Sequence, residues 1–247
     1  TILRCQANEL TALDVSSNTA LTTLRCESNL LTYLNMRNGV TDGLTTFNAT
    51  NNSLGCIETL DPDYATANWT YANGNIDEGV TFSVICGSED QDVWYVATTG
   101  SDGGAGTQES PFATIQMGIN VAGNGNTVHV AAGTYVAPNE PYYGNNYPAG
   151  PNLYEKEDLV ILGDGSATTI IDMDGHNYGF CFSRNSMNNI IDGFTIKNGG
   201  WYLITVYNNS WGNTFQNCVF LTEGTEEYTY VSYDSGDYFI NCTFVGN

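Results

Sequence analysis

Positive charge is what this 247-residue chain lacks most: 6 Lys and Arg stand against 27 Asp and Glu, for a formal net charge of −21. Phosphate backbones are held by basic surfaces that six cations cannot assemble, so nucleic acid is excluded as a partner. Acidity of this kind suits a soluble extracellular surface, and one that takes up calcium. No stretch of about 18 apolar residues occurs, which excludes a helical membrane span. No signal peptide precedes the patterned sequence that begins at Thr1, as expected of a mature or excised segment. The two histidines, His129 and His176, have no companions at triad or metal spacing. His129 stands between Val128 and Val130, where an outward-facing surface histidine is expected.

Repetition fills the space these absences leave. Residues 179–198, 203–222 and 227–246 align without a gap at a period of 24. The alignment sets Phe182 over Val206 over Tyr230, Ile191 over Phe215 over Phe239, and Ile196 over Phe220 over Phe244. Within each copy the apolar residues alternate, the two-residue period of strands. One short strand cannot bury its inner face alone, so copies must stack. The column Gly193, Asn217, Asn241 holds the residue types that enter left-handed backbone cheaply, which predicts a corner repeated from coil to coil. These features resemble the right-handed parallel β-helix of the pectate-lyase-like superfamily, from about residue 93 to the end.

A second period occupies the first 55 residues. Leu3, Cys5, Asn8, Leu10, Leu13 and Val15 recur 21 residues later as Leu24, Cys26, Asn29, Leu31, Leu34 and Met36. Phe47, Ala49, Asn52 and Leu54 form a third copy, displaced by two more residues. LxxLxCxxNxL is the leucine-rich repeat pattern, with a strand at LxC and an asparagine that satisfies backbone groups in the turn. The cysteine in the strand resembles the cysteine-ladder class of bacterial leucine-rich repeats, which implies that Cys5 and Cys26 are reduced and structural. Neither has a CxxC partner that would support a metal or redox role. Arg4 and Arg25 occupy matching outward positions, with Glu27 close enough to make that a solvated face.

Of seven cysteines, Cys56 and Cys86 bracket an irregular stretch and are the expected disulfide of an oxidising, extracellular setting. With Tyr64, Trp69 and Phe82 they supply a cap for the last coil. This segment resembles the end of leucine-rich arrays in bacterial surface proteins exported by the type IX secretion system. The organisation read from sequence is therefore an all-β solenoid: leucine-rich repeats with a cap over residues 1–86, a linker over 87–92, and a parallel β-helix over 93–247. The β-helix is expected to be incomplete at its C-terminus. Pro111 is expected to open an amphipathic helix, with Phe112, Ile115, Ile119 and Ala122 on the face that plugs the first coil. Asp102 is read as a turn residue in the preceding loop.

The superfamily resemblance implies polysaccharide lyases and glycosidases among its relatives, so chemistry must be sought residue by residue. A lyase abstracts a proton with a basic side chain while calcium on carboxylates neutralises a uronate. The β-helix offers only Lys156, Arg184 and Lys197 as cations. Lys197, Arg184 and Asp192 share one coil and form the catalytic candidates, with Asp172 and Asp174 as weak calcium candidates one coil earlier. Asp192 directly precedes the corner glycine, where a turn-stabilising Asp also belongs. The insertion over residues 136–158 carries Tyr142, Tyr143, Tyr147 and Tyr154, whose rings suit the apolar faces and polar rims of sugars.

The preferred reading is a segment of a secreted cell-surface protein serving as a rigid adhesive or carbohydrate-binding scaffold. It needs no cofactor beyond optional calcium, and its partner is an extracellular polysaccharide or a cell-surface glycan. The alternatives are a polysaccharide lyase or glycoside hydrolase, and a structural protein that self-associates through open solenoid ends.

Overall fold

The computed structural model describes every residue except 88–90, 138–139, 142–147, 223–227, 234–235 and 247. The chain forms two compact units, Thr1–Asp90 and Gln91–Asn247. Among the described residues both are built almost wholly of short parallel strands, with two helices of 7 residues each.

The first unit is a solenoid with two sheets, one of three strands and one of four. The period becomes register: Leu3 pairs with Leu24 and, across the copy displaced by two more residues, Leu24 pairs with Phe47, so one apolar position stacks inward through three coils. Cys26 is buried in this core and Cys5 is half-buried at the first coil. Burial pushes the Cys26 thiol up to about 12, with Cys5 and Glu27 adding to the effect. Arg4 pairs with Arg25, and Arg25 forms an ion pair with Glu27.

The repeated asparagine turns the corner for its neighbour as well as for itself. Asn29 Nδ2 donates to the carbonyls of Cys26 and Cys5, both at 3.0 Å, and Oδ1 accepts the Leu10 N–H at 3.1 Å. Asn52 repeats the pattern on Ala49, Cys26 and Leu31. In the cap, helix α1 (Pro62–Asn68) is opened by Asp61, whose carboxylate accepts the Tyr64 N–H. Trp69 packs against Phe47 and Phe82 at centroid distances of 4.5 and 5.9 Å. The Cys56–Cys86 disulfide closes the segment as expected. A buried ion pair lies beside it: Arg37 Nε is 3.3 Å from Glu58 Oε2, which also accepts from Tyr33 Oη, while Glu58 Oε1 accepts the Cys86 N–H.

The second unit has three parallel sheets wound as a parallel β-helix, with strands in the order first, second, third sheet in each coil. The first sheet runs from Val93–Val96 through Thr127–Val130, Val160–Gly163, Ile190–Asp192 and Thr214–Gln216 to Tyr238–Ile240. Gly133–Val136, Thr169–Asp172, Thr195–Lys197, Val219–Leu221 and Thr243–Val245 form the second. The third stacks Asn152–Tyr154, Tyr178–Ser183, Tyr202–Val206 and Tyr228–Ser232, with a short antiparallel hairpin, Glu140–Pro141 with Pro148–Ala149, at one edge. Ile171, Ile196, Phe220 and Phe244 stand in one inward column, and Ile161, Ile191, Phe215 and Phe239 in another.

The 24-residue register holds in the first two sheets but not throughout the third. Tyr202 pairs with Tyr228 and Ile204 with Tyr230, so Val206 lies over Ser232 and not over Tyr230. Two extra residues enter between Leu221 and Tyr228 and are given back before Tyr238, which keeps its register with Thr214. A slip of two preserves which face each side chain points to, so the core tolerates it. Tyr230 packs its ring on Phe239 at 5.3 Å and donates its hydroxyl to Asp237 at 2.7 Å.

The corners are set as the Gly/Asn column predicts: Gly193, Asn217 and Asn241 have φ of +80°, +53° and +51°. Asn241 Nδ2 donates to Asn217 Oδ1 at 2.7 Å, and Asn217 Nδ2 to Asp192 Oδ1 at 2.8 Å. An internal ladder runs along the preceding corner, where the chain enters the first sheet. Asp237 Oδ1 accepts from the Asn213 N–H and side chain, Asn213 Oδ1 from those of Asn189, and Asn189 Oδ1 from the Leu159 N–H.

Helix α2 (Ile115–Val121) begins later than Pro111. Asp102 accepts from the Ala113 and Thr114 N–H groups and the Thr114 hydroxyl, which holds these residues out of the helix and makes Thr114 its cap. Phe112 is buried on an isolated bridge to Val96. The helix occupies the third-sheet position of the first coil and packs as a plug. Gly118 lies so close to Val128 that an added Cβ would meet its Cγ1 at 2.6 Å. Gln116 exchanges two hydrogen bonds with the backbone of Asn152, covering the edge that strand would otherwise expose. Lys156 Nζ closes the other end on the carbonyls of Ala122 and Asn120.

Asn189→Leu leaves the Leu159 N–H unpaired in the interior, while the Lys156 carbonyl keeps the Met187 N–H. An unsatisfied buried group costs about 1–3 kcal/mol, so the second unit should lose about that much stability, read from its denaturant midpoint. Reducing the Cys56–Cys86 bond, which closes a separation of 30 residues, should lower the first unit's stability by about 3–4 kcal/mol, with Cys56→Ser/Cys86→Ser matching the reduced protein.

Candidate functional site

The catalytic candidates share a coil but not a face. Asp192 ends a strand of the first sheet, Lys197 ends one of the second, and Arg184 follows Tyr178–Ser183 of the third. Strands that follow one another in a coil belong to different sheets, so sequence neighbours are directed to different sides. Asp192 accepts from Gln216 Nε2 and Asn217 Nδ2 of the next coil, both at 2.8 Å. Arg184, at φ +49°, donates to Tyr154 Oη at 2.5 Å, and its guanidinium carbon lies 5.2 Å from the Tyr154 ring centroid.

Lys197 is brought to a different partner. It pairs in register with Asp172, and its Nζ lies 3.2 Å from Asp172 Oδ2. Asn198 Nδ2 donates to both oxygens of the same carboxylate at 2.9 and 3.0 Å, and the Asp174 N–H donates to Oδ1 at 3.1 Å. Partial burial raises the Asp172 carboxyl, but the bonds from Asn198, Asp174 and Lys197, with the Lys197 charge, outweigh it and hold the group below its ordinary value. Asp174 stands in a turn at φ +48°. Among the described residues, no three His, Cys, Asp or Glu side chains cluster as metal ligands.

The remaining cation of this unit, Lys156, serves the helix end, and burial lowers its ammonium below the ordinary lysine value. His129 lies 3.0 Å from Asp164 and edge-on to Tyr95, an outer-face arrangement. Of the expected sugar-binding tyrosines, Tyr142, Tyr143 and Tyr147 lie outside the described residues. Tyr154 is the one whose contacts are seen.

A different set of aromatic residues covers the third sheet. Tyr178, Tyr202 and Tyr228 stack at centroid distances of 6.2 and 5.8 Å, and Trp201 meets Tyr178 edge to face at 6.0 Å. Tyr207 and Tyr233 form a second stack at 4.9 Å. Burial, and then the phenols of Tyr178, Tyr233 and Tyr202, push the Tyr207 hydroxyl far above its ordinary value. Tyr178 and Tyr207 together cover Cys181, a fully buried thiol that burial pushes up to about 12. A gapless 24-residue alignment places Glu226 beneath Tyr202 and Val231 beneath Tyr207, which hides both stacks. The signal was the recurrence of tyrosine at 24 and then 26 residues. Stacked phenols give a surface that is apolar in area and hydroxylated at its rim.

Because its folded value is depressed, Asp172 contributes stability that is fully present above the unfolded pKa of about 3.9 and is lost as pH falls through the folded value. Asp172→Asn should therefore flatten the acid limb of the stability–pH profile, measured as urea midpoint across that range. An unchanged limb would show that the pair contributes nothing to acid sensitivity.

Comparison with known proteins gives three likenesses. The family described as "Protein of unknown function (DUF1565)" matches residues 98–247. Over 84 residues the chain is 31% identical to Pectate lyase PEL9 of Emericella nidulans, covering 32% of this chain and 20% of that protein. The chain thus spans a fifth of the length of the curated relative it matches. A solved structure titled "Rhamnogalacturonan lyase" aligns with a TM-score of 0.43 and 15% identity, over 63% of this chain and 57% of that one. The second unit is a parallel β-helix, and the matched family covers most of the chain: it belongs to the family described as DUF1565, protein of unknown function.

Proposed function

We propose that the chain is a segment of a secreted cell-surface protein and acts as a rigid carbohydrate-binding or adhesive scaffold. The observation that carries this reading is the tyrosine-covered outer face of the third sheet, in particular the stacks Tyr178–Tyr202–Tyr228 and Tyr207–Tyr233. Phenol rings offer apolar area to sugar rings and hydroxyls to their rims, and a solenoid holds them without an ordering cost at binding. The disulfide suits an oxidising exterior. Among the described residues no helix is long and apolar enough to cross a membrane. In this reading the first unit is a cysteine-ladder leucine-rich array, and export is by the type IX route that its cap resembles.

Binding is favoured over catalysis because each of the second unit's three cations is already engaged inside the protein. Lys156 holds the end of α2, Arg184 holds Tyr154 and Lys197 holds Asp172. The lyase reading retains one support, the Asp172–Lys197 pair on the second sheet's outer face, where calcium would have to displace the ammonium from the carboxylate. Self-association through solenoid ends is the third reading, and light scattering that rises with protein concentration would favour it.

The test is incubation with polyuronates and calcium, followed by ultraviolet absorbance of unsaturated products, beside affinity electrophoresis in polysaccharide gels. Retarded migration with no absorbance gain is expected. An absorbance gain that Lys197→Ala and Arg184→Ala abolish would replace the scaffold reading with the lyase.

A further inference from the structure

Residues 198–222, one full coil and slightly more, contain no Asp, Glu, Lys or Arg in a chain of net charge −21. This uncharged coil carries two exposed indoles, Trp201 at 42% and Trp211 at 46% of full exposure. Trp201 directly precedes the strand Tyr202–Val206 of the third sheet, and Trp211 follows the corner beyond it. Trp201 leans edge to face on Tyr178 of the preceding coil, and Trp211 is anchored by a backbone bridge to Met187. Tyr202 and Tyr207 lie between them in sequence, each within a tyrosine stack. The corner after the strand adds amides: Asn208 and Asn209 have φ of +56° and +63°, and Asn209 Nδ2 donates to Asn185 Oδ1 at 2.7 Å.

We propose that this coil is the docking face for an uncharged polysaccharide, with Trp201 and Trp211 as anchors at its two ends. The proposal rests on the carbohydrate-binding reading above and names its site and its ligand class. Charge selects the class, since a protein at −21 repels a polyuronate and the uncharged coil offers no cation to hold a carboxylate. Side-chain chemistry fits carbohydrate: in sequence the indoles are separated by phenols and amides, which set hydroxyl and amide groups beside apolar ring faces as a sugar ring and its rim require. Geometry sets the size. A five-residue strand at about 3.3 Å per residue separates the corners by about 17 Å, room for several sugar rings laid along the coil.

The experiment is affinity electrophoresis of the whole chain in gels holding hydroxyethylcellulose, xylan or galactomannan, with polygalacturonate as the anionic control. Retardation by at least one neutral polymer is expected. Trp201→Ala/Trp211→Ala should weaken it at least tenfold, and Trp201→Phe/Trp211→Phe should retain most of it. Both variants should keep a cooperative thermal transition, with the phenylalanine pair near the parent midpoint and the alanine pair below it because Trp201 gives up its contact with Tyr178. Neutral-polymer binding that survives the alanine pair overturns this site while leaving the carbohydrate-binding scaffold standing. Retardation by polygalacturonate alone overturns the ligand class. If no polymer retards the chain, the scaffold reading falls as well.

Discussion

A solenoid depends on how its corners are satisfied. Between strands the backbone leaves the sheet, and its N–H and C=O groups lose ladder partners in a place closed to water. Both units answer with the same device, an inward carboxamide that bonds to the coil before its own. Asn29 and Asn52 do so in the first unit, and Asn189 and Asn213 in the second, where both are fully buried. Asparagine suits the position because one short side chain carries both a donor and an acceptor. With the corners bonded in this way, the columns of Leu, Ile and Phe can stack at the strand spacing with no helix to cover them.

The outer faces then diverge by sheet. The first two sheets direct polar and charged residues outward in cross-strand pairs, as Asp192 with Gln216 and Asp172 with Lys197. The third directs tyrosine, which stacks in rows because equivalent positions repeat from coil to coil. Scarcity of cations and abundance of stacked phenols are the two surface features on which the proposed carbohydrate-binding reading rests. Lys156 illustrates how a cation can be engaged within the fold: half-buried, it is drawn to the carbonyl end of α2, where its charge complements the negative end of the helix dipole.

Two interactions found here concern strength more than recognition. The Arg37–Glu58 pair is buried beside the disulfide, with Tyr33 and the Cys86 N–H completing the carboxylate's bonds. Such a pair adds little net stability over an apolar replacement, but removing one partner strands the other charge. It therefore ties the register of the cap to an intact bridge. Gln116 performs the parallel task at the start of the β-helix by occupying the backbone of Asn152.

The fold was legible because its period lies in the sequence itself: a side chain that stacks on its equivalent must recur at one coil length, and Ile196, Phe220 and Phe244 do. The corner asparagines and the Cys56–Cys86 bond were legible for the same reason, since backbone conformation and crosslinking restrict residue type. The site was not. Lys197, Arg184 and Asp192 are close in sequence yet belong to three sheets, and only the winding of the coil decides which side each faces. The tyrosine stacks escaped because a two-residue insertion shifts their register, and sheet pairing restores it by a slip that leaves inward and outward faces unchanged. Sequence by itself determined the periodic interior, where stacking demands like over like; tertiary structure alone decided the surface, where residues remote in the chain become neighbours through the coil.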